Sequence, residues 1–309
     1  GSVRIIGRNS STKHCRSSMS TAISTPDTVD RLSALLERFR VRAHLFHAGP
    51  LCGVTHFAAE PGRAFLHVLR RGAMRVTHPA RSGAPRSLMV NEPTLLFYPQ
   101  PLAHDFHNAP QEGSDFVCAT LDFDGGSRHP LVQALPPLVA LPVAALPDIE
   151  HTLALLFAET ERVRCGHRLL ANRLFEVLLL QTLRHLLDHA ADHGMQTGLL
   201  CGLAHPKLAR ALTQMHERPG APWSLAALAA AAGMSRSSFA AEFRAQLGTT
   251  PAEYLLRWRV SLAQSMLRKG ASVKAASDAL GYASAAAFSR AFTQAVGQSP
   301  RAWLAGSGA

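Results

Sequence analysis

Apolar residues follow two different patterns along the chain, and the change between them falls near residue 148. From Val41 to about Asp124, short apolar or alternating runs are separated by Gly and Pro. Such runs are typical of β-strands joined by tight turns, and their near-regular spacing predicts a small barrel or sandwich. A Pro-rich stretch at 130–147 ends this part. The predicted strands lie at 44–47, 53–57, 64–69, 73–78, 95–98 and 115–123.

After residue 148 the apolar positions take up helical spacing. They recur three and four residues apart at 153–160, and the stretch from 169 to 187 is apolar around most of its circumference. A helix of that second kind has to be buried, either in a core or against a partner subunit. We therefore predict a helical dimerisation segment at 148–191, followed by a linker at 192–204.

The last third of the chain contains an internal repeat. Five residues return 49 positions later: Ser235, Phe239, Phe243, Gly248 and Pro251 recur as Ser284, Phe288, Phe292, Gly297 and Pro300. Two more, Ser224 and Gly233, recur after 48 positions as Ser272 and Gly281. Seven positions in step indicate a duplicated unit.

Each copy of the repeat has the pattern of a helix, a tight turn and a second helix. The Ser that precedes each helix can accept a hydrogen bond from an orphan backbone N–H, and Gly in the turn tolerates a left-handed conformation. The box Thr250-Pro251-Ala252-Glu253 predicts the start of a long helix that ends near Arg268. Such a helix is about 27 Å long, which suits two recognition helices in major grooves about 34 Å apart. The pattern therefore predicts two helix-turn-helix units.

Charge is distributed unevenly along the 309 residues, whose formal net charge is +11. Residues 205–309 contain twelve Lys and Arg against four acidic residues, whereas residues 26–204 are close to neutral. A basic segment of this kind favours a polyanionic partner, here double-stranded DNA, over a merely basic surface.

Several classes of protein are excluded by the sequence. No apolar run reaches the roughly 18–20 residues that cross a bilayer, and five widely spaced cysteines do not form a disulfide scaffold. No Gly-x-Ser-x-Gly, His-Glu-x-x-His, Gly-x-Gly-x-x-Gly or phosphate-loop motif is present. We expect a cytoplasmic protein without membrane contact or enzymatic activity, with a disordered leader and tag remnant at 1–25.

The repeat carries a set of residues with a known counterpart. These are Leu228-Ala229, Gly233-Met234-Ser235, Phe239, Phe243, Gly248, Thr250-Pro251 and Tyr254, then Gly281-Tyr282, Ser284, Phe288, Arg290-Ala291-Phe292, Gly297 and Ser299-Pro300. With them, residues 205–306 resemble the DNA-binding domain of AraC/XylS-type transcription regulators. Residues 41–190 resemble the cupin-type sensor domains of such regulators, at Gly49-Pro50-Leu51-Cys52-Gly53 and Phe97-Tyr98-Pro99. The resemblance implies an α+β protein, with a cupin-like β-barrel at 26–147, the helical dimerisation segment, and an all-α C-terminal domain at 205–309 with two helix-turn-helix units.

In this family the residues after the cap of each recognition helix face the DNA bases. The resemblance assigns this role to Arg236, Ser237, Ser238, Ala240, Ala241 and Arg244, and to Ala285, Ala286, Ala287, Ser289 and Arg290. Most of them are Ala or Ser, where such helices often carry Gln, Arg or Trp. Ala contacts a thymine methyl group but donates no hydrogen bond. We expect Arg290 to contact a guanine and Arg236 and Arg244 to bind phosphate, while dimerisation or DNA shape adds specificity.

A cupin barrel can hold a metal ion with His and carboxylate ligands, and this chain retains part of that set. His67 is present, but Phe65 stands two positions before it, and no Glu follows at the family's spacing. His104 and His107 lie in a stretch similar to the second cupin motif. Because two or three imidazoles can bind zinc or copper, these three histidines are candidate metal ligands. Hydrogen-bonded barrel histidines without a cofactor are the preferred interpretation.

Two cysteines provide a different hypothesis for the signal. Cys52 and Cys118 resemble cysteines of an AraC-type regulator that responds to reactive chlorine species. A sensing thiol must be accessible, partly ionised and near a resolving partner. The apolar neighbours of Cys118 instead indicate a buried and inert thiol. Redox sensing, a small organic ligand in the barrel and the absence of any input all stay open.

The sequence thus predicts a transcription regulator that binds promoter DNA as a homodimer. A small-molecule effector or thiol oxidation at the cupin domain would control it, and RNA polymerase is a further partner if the protein is an activator. Two other classes are alternatives, namely a metal-dependent cupin enzyme fused to a DNA-binding tail and an effector-free DNA-architectural protein. Turnover with stoichiometric metal would favour the first, and binding without sequence preference would favour the second.

Overall fold

The computed structural model describes residues 29–109, 113–193, 195 and 197–306, so the predicted leader at 1–25 lies outside the described residues. A β-rich N-terminal part is followed by an all-helical C-terminal part, which confirms the predicted α+β class. No helix in the described ranges is both long and apolar enough to cross a membrane.

The N-terminal part contains two antiparallel sheets. The described strands are β1 (Val41–Leu51), β2 (Val54–Phe57), β3 (Arg63–Arg71), β4 (Met74–Thr77), β5 (Ser87–Val90), β6 (Thr94–Tyr98), β7 (His104–His107), β8 (Ser114–Phe123) and β9 (Val139–Pro142). The larger sheet has the order β1-β8-β3-β6-β9, and the smaller sheet has the order β2-β7-β4-β5.

Side chains of β3 alternate between two cores. Leu66 and Val68 lie in the core between the larger sheet and the helices, whereas Phe65 and Leu69 lie in the core between the two sheets. Because successive side chains of a strand point to opposite faces, a strand covered on both faces is apolar throughout. The second of these cores is the interior of the cupin-like barrel.

Four helices flank the sheets: α1 (Ser33–Arg38), α2 (Pro130–Ala134), α3 (Glu150–Glu161) and α4 (His167–Asp188). The side chains of α4 cover the edge strand β1. The Leu45 backbone N–H donates to Asn172 Oδ1 at 2.8 Å, and the Ala43 N–H donates to Glu176 Oε1 at 3.3 Å. Side-chain acceptors thus satisfy N–H groups that an uncovered edge strand would leave unpaired.

The C-terminal part consists of α5 (Leu199–Ala204), α6 (Leu208–Glu217), α7 (Leu225–Ala231), α8 (Arg236–Leu247), α9 (Pro251–Arg268), α10 (Val273–Ala279), α11 (Ala285–Val296) and α12 (Pro300–Gly306). The predicted caps are present, since Ser224, Ser235, Ser272 and Ser284 each accept a backbone hydrogen bond. Thr250 and Glu253 form the reciprocal capping box that starts α9. The two helix-turn-helix units therefore follow from local sequence signals.

Some elements differ from the sequence prediction. Strands β5, β7 and β9 were not predicted, and β9 lies inside the Pro-rich stretch. The predicted linker at 192–204 contains the buried helix α5. Short strands carry too few residues for a clear alternation, and all six residues of α5 are apolar or small, so they show no polar side that would indicate a helix.

The N-terminal and C-terminal parts pack against each other over a continuous core. Phe39, just after α1, lies against Trp258 of α9, with ring centroids 5.2 Å apart. Arg38 donates to the Glu217 carbonyl oxygen at 2.7 Å. Lys269, just after α9, pairs with Asp124, just after β8, at 3.1 Å. The N-terminal part thus contacts the central helix that joins the two helix-turn-helix units.

Candidate functional site

The second helices of the two units, α8 and α11, each bury one side and expose the other. Phe239 and Phe243 are fully buried with ring centroids 5.5 Å apart, and Phe288 and Phe292 repeat the arrangement at 5.8 Å. Residues four apart lie on the same side of a helix. The remaining positions of both helices are thereby available to a partner.

The predicted DNA contacts lie mainly on these exposed sides. Arg236, Ser237, Ser238, Ala241, Arg244, Ala286 and Arg290 are exposed, and Ala240, Ala285, Ala287 and Ser289 are half-buried. The Ser238 hydroxyl accepts a hydrogen bond from Ser235 Oγ at 2.9 Å. Ser238 is therefore part of the helix start as well as of the exposed side. Its role at DNA, like that of the other ten residues, stays a prediction.

Guanidinium groups on the exposed sides are free to bind an anion. Within the described ranges, no carboxylate pairs with Arg236, Arg244 or Arg290. Lys274, exposed on α10, is a further cation that the sequence analysis did not single out. Its place two residues after the Ser272 cap, in the first helix of the second unit, is the signal that could have found it.

The two units are held in a fixed relation by contacts between the loop at 219–221 and the second unit. Arg259 of α9 donates to two carbonyl oxygens of this loop, at 2.7 and 3.0 Å, and lies 5.6 Å from the Tyr282 ring centroid. Gly281 has φ +75°, and a Cβ atom there would overlap the Gly220 carbonyl oxygen. Only Gly permits this close approach.

A pair of histidines lies in the barrel interior. His104 donates from Nδ1 to the Leu102 carbonyl oxygen at 2.8 Å, so its Nε2 accepts from His67 Nε2–H at 3.0 Å. His67 Nδ1 is then a buried acceptor without a hydrogen-bond partner. Burial lowers the pKa of His104 to about 4 and that of His67 well below its usual value. Both rings are therefore neutral at physiological pH.

The three candidate metal ligands do not lie together in the structure. His107, the third candidate ligand, is hydrogen-bonded to Thr77 Oγ1 at 2.9 Å on the pairing strand β4. No group of three His, Cys, Asp or Glu among the described residues is arranged to hold a metal. The structure thus brings His67 and His104 together but places His107 elsewhere, and metal binding at these histidines stays a prediction. Since successive residues of a strand point to opposite faces, residues 104 and 107, three apart, cannot share a face of β7.

A cavity opens beside the histidine pair at the mouth of the barrel. It has a volume of about 510 Å³, and Phe46, Phe57 and Phe65 line it together with polar residues such as Arg63. The Phe57 ring centroid lies 4.7 Å from that of His67. Four of its eight lining residues, His56, Glu60, Arg63 and Thr120, are polar or charged, so the cavity combines aromatic and polar groups.

The structure does not bring the two candidate redox cysteines together. Cys52 is exposed directly after β1, whereas Cys118 is fully buried between the sheets, where burial raises the pKa of its thiol. Leu51 pairs with Ser114, which lies four residues before Cys118 on β8. Four residues of a strand span about 14 Å, twice the largest Cα separation that a disulfide bridges.

Helix α4 exposes an apolar surface that the described chain leaves uncovered. Leu169, Leu170 and Val177 are 62, 40 and 42% exposed, and Val163 just before α4 is 76% exposed. The opposite side of α4, which includes Phe175 and Leu183, is buried against the sheet and α3. This helix is predicted to be buried around most of its circumference, but the described chain buries one side only.

Comparisons with known proteins agree with this architecture. Residues 30–188 match the Cupin family, and residues 228–306 match the Helix-turn-helix domain family. An AraC-like transcription regulator of Streptomyces antibioticus is 39% identical over 174 residues, which cover 55% of this chain and 56% of that protein. A second, from Streptomyces lividans, is 36% identical over 194 residues, 61% of this chain and 63% of that protein. These alignments span less than two thirds of either relative.

A longer alignment is found with the RCS-specific HTH-type transcriptional activator RclR of Escherichia coli (strain K12). It is 29% identical over 249 residues, which cover 79% of this chain and 85% of the relative. The similar proteins carry the names of regulators, which confirms the prediction of a regulator and not an enzyme. The chain belongs to the AraC family of transcriptional regulators, with an N-terminal cupin domain and a C-terminal helix-turn-helix domain.

Proposed function

We propose that the protein binds double-stranded promoter DNA in a sequence-specific manner and regulates transcription. The observation that carries this proposal is the pair of helix-turn-helix units held by α9 and by the contacts of Arg259 and Gly281. Because the units cannot move independently, α8 and α11 enter successive major grooves on one side of the duplex.

Contacts with DNA divide by chemistry. Arg290, exposed in the middle of α11, donates to the N7 and O6 of a guanine, while Arg236 and Arg244 neutralise phosphates. The Ala positions contact thymine methyl groups and add little discrimination. Specificity from one protomer is therefore modest, and DNA shape and a second protomer contribute the rest.

Selection from random duplexes at physiological salt tests the proposal. We expect an enriched site of about 15–20 base pairs. Arg290→Ala should relax the preference at one position and weaken binding by about 1–3 kcal/mol, while Arg301→Ala, at an exposed arginine of α12, should change neither. Binding without any enriched sequence would contradict specific recognition and favour an architectural protein.

A homodimer formed through α4 extends the proposal. Its exposed apolar residues, including Leu170 and Val177, match the surface that two copies would bury. Val177→Glu should convert a dimer into a monomer in light scattering, because a charge would be buried at the interface. Leu304→Glu makes the same change at an exposed leucine of α12 and should leave the dimer intact. A wild-type monomer would contradict this part.

The signal enters at the cupin domain, as a small ligand in the cavity at the barrel mouth. The three phenylalanines and the polar residues that line this cavity, such as Glu60 and Arg63, support a ligand with an apolar body and a polar group. Oxidation of Cys52 is the second candidate, because its thiol is exposed. DNA affinity that shifts on mild oxidation in the wild type, but not in Cys52→Ser, would favour oxidation. Insensitivity to oxidation favours the ligand.

A further inference from the structure

Three phenylalanine rings form a corner at the mouth of the cupin-like barrel. Phe46 of β1, Phe57 of β2 and Phe65 of β3 all line the cavity that opens there. Their ring centroids are 6.0–6.2 Å apart, and their planes are inclined to one another by 63–78°. Three strands thus contribute one ring each to a three-sided recess, which we call the aromatic corner.

A β-bulge places Phe46 at this recess. The pairing of β1 with β8 shifts between Leu45 and His47, so Phe46 is the residue at the irregularity. A bulge changes the direction of the side chain that it carries, and bulges are frequent next to functional sites. Phe46 is 47% exposed although its side chain is large and apolar. Its ring is therefore accessible to a ligand in the cavity.

The other two rings of the aromatic corner are supported by the histidine pair. The Phe57 ring is nearly parallel to that of His104, with an interplanar angle of 17° and centroids 4.9 Å apart. The Phe65 ring is nearly parallel to that of His67, with an angle of 11° and centroids 5.6 Å apart. Each phenylalanine thus has one face towards an imidazole, which leaves the opposite face for the cavity that both residues line.

The geometry of the aromatic corner suits a cation. The face of an aromatic ring attracts positive charge, because its π electrons make that face partly negative. At the observed separation, a point in front of three perpendicular rings lies about 4.3 Å from each centroid, inside the roughly 6 Å of a cation–π contact. Within the described ranges, Arg70 lies over the Phe157 ring, but no cation lies over a ring of the aromatic corner.

The polar groups around the aromatic corner leave room for a cation of a particular kind. Glu60 and Arg63 form an ion pair with side chains 50 and 40% exposed, so the positive charge of Arg63 is compensated. His56 Nδ1 lies 2.5 Å from Asp105 Oδ1. Because aromatic faces replace hydrogen bonds to water poorly, a primary ammonium loses hydrogen bonds on entering the corner. A quaternary ammonium has no N–H group and loses none.

We propose that the aromatic corner binds the quaternary ammonium group of a small molecule. The methyl groups around the nitrogen contact the faces of Phe46, Phe57 and Phe65, and the polar remainder of the molecule lies towards Glu60 and Arg63. This assignment names the chemical class of the ligand for the cavity at the barrel mouth.

A ligand bound in this way contacts both sheets of the cupin domain. Phe57 belongs to the smaller sheet, whereas Phe46 and Phe65 belong to the larger one. Strand β1, which carries Phe46, also donates backbone hydrogen bonds to Asn172 and Glu176 of α4, the proposed dimer helix. The ligand favours the arrangement in which the three rings meet, and β1 connects this arrangement to α4. The consequence for DNA binding rests on the proposed function, whereas binding at the aromatic corner does not.

Calorimetric titration of the full chain with choline tests the site. Two matched probes share its hydroxyethyl chain, namely 3,3-dimethylbutan-1-ol, in which carbon replaces the charged nitrogen, and ethanolamine, which has a primary ammonium. Choline should bind at least about ten-fold more tightly than either probe. Equal affinity for choline and the neutral alcohol would overturn the proposal, because the cavity would then select apolar shape and not charge. Equal affinity for choline and ethanolamine would overturn the preference for a quaternary nitrogen.

Two variants show whether the ring face is responsible. Phe46→Leu retains an apolar side chain at a half-exposed position but removes the π face, so it should weaken choline about three-fold or more and leave the neutral alcohol unchanged. Met89→Leu changes an exposed residue of β5 and should leave the choline affinity unchanged. Unchanged choline affinity in Phe46→Leu would contradict the cation–π contact.

DNA affinity measured with and without choline separates this proposal from the proposed function. Absence of choline binding by a chain that still selects its DNA site would overturn the ammonium site and leave DNA recognition intact. Choline binding with unchanged DNA affinity would support the site and contradict the cavity as the place where the signal enters.

Discussion

Acid should destabilise the C-terminal domain through His216, because this imidazole is buried in its neutral form. The residue is in α6, its ring centroid lies 4.3 Å from that of Trp258, and its Nε2 lies 2.6 Å from the Tyr254 hydroxyl oxygen. Burial, with a smaller effect from the positive charge of Arg38, lowers the pKa of His216 from 6.5 to about 3. The folded protein therefore excludes a proton that the unfolded chain accepts.

The size of the effect follows from proton linkage. Below pH 6.5 the unfolded chain binds this proton and the folded chain does not, so the free energy of unfolding falls as the pH is lowered. Each pH unit removes about 1.4 kcal/mol until the folded-state pKa is reached. Between pH 6.5, where the unfolded imidazole is half protonated, and pH 4.5, His216 alone removes about 2.3 kcal/mol, a large part of the roughly 5–15 kcal/mol that stabilises a domain.

Denaturant unfolding at these two pH values measures the effect. His216→Gln retains a hydrogen-bonding group for Tyr254 but does not titrate, so it should lose about 2.3 kcal/mol less than the wild type on acidification. His151→Gln changes an exposed histidine of α3 and should lose as much as the wild type. Equal losses in all three proteins would refute the buried neutral imidazole. The comparison is internal, so the other buried histidines cancel.

Three further substitutions have expected outcomes. Gly281→Ala should lower the free energy of unfolding by more than Gly233→Ala, which we expect near 1–2 kcal/mol, because both have positive φ but only the first would overlap a facing carbonyl oxygen; equal thermal shifts would contradict this. Arg259→Gln should weaken specific DNA binding, measured by fluorescence anisotropy, since it loosens the relation between the two units; unchanged affinity would contradict a rigid pair. Asn172→Ala should raise the hydrogen-exchange rate of the Leu45 amide, at about 1 kcal/mol of lost protection, and an unchanged rate would contradict that contact.

The helix-turn-helix units could be predicted because their signals are local. Each helix start depends on a Ser and the three residues after it, and each buried side depends on two phenylalanines four residues apart. The duplication then repeats every signal, so an accidental match is excluded by its second occurrence. The predicted start of α9 at the capping box and its predicted end near Arg268 are confirmed for the same reason, because these signals lie within one segment.

The histidine pair in the barrel could not be predicted in the same way, because it depends on contacts between distant strands. His67 and His104 meet only through the packing of β3 against β7 from the other sheet, and their sequence separation gives no sign of it. His107 looks equivalent to His104 in sequence, yet it is hydrogen-bonded to Thr77 instead.

The contacts between the domains differ greatly in the free energy that each contributes. The pair of Asp124 and Lys269 lies at the surface, with Lys269 exposed and Asp124 half-buried, and surface pairs contribute at most about 1 kcal/mol. The packing of Phe39 on Trp258 is fully buried, and removing a buried aromatic ring changes stability by about 3–5 kcal/mol. Coupling between effector and DNA typically needs about 1–3 kcal/mol. Of these two contacts, only the packing of Phe39 on Trp258 is strong enough to account for coupling of that size, and the surface ion pair is too weak to replace it.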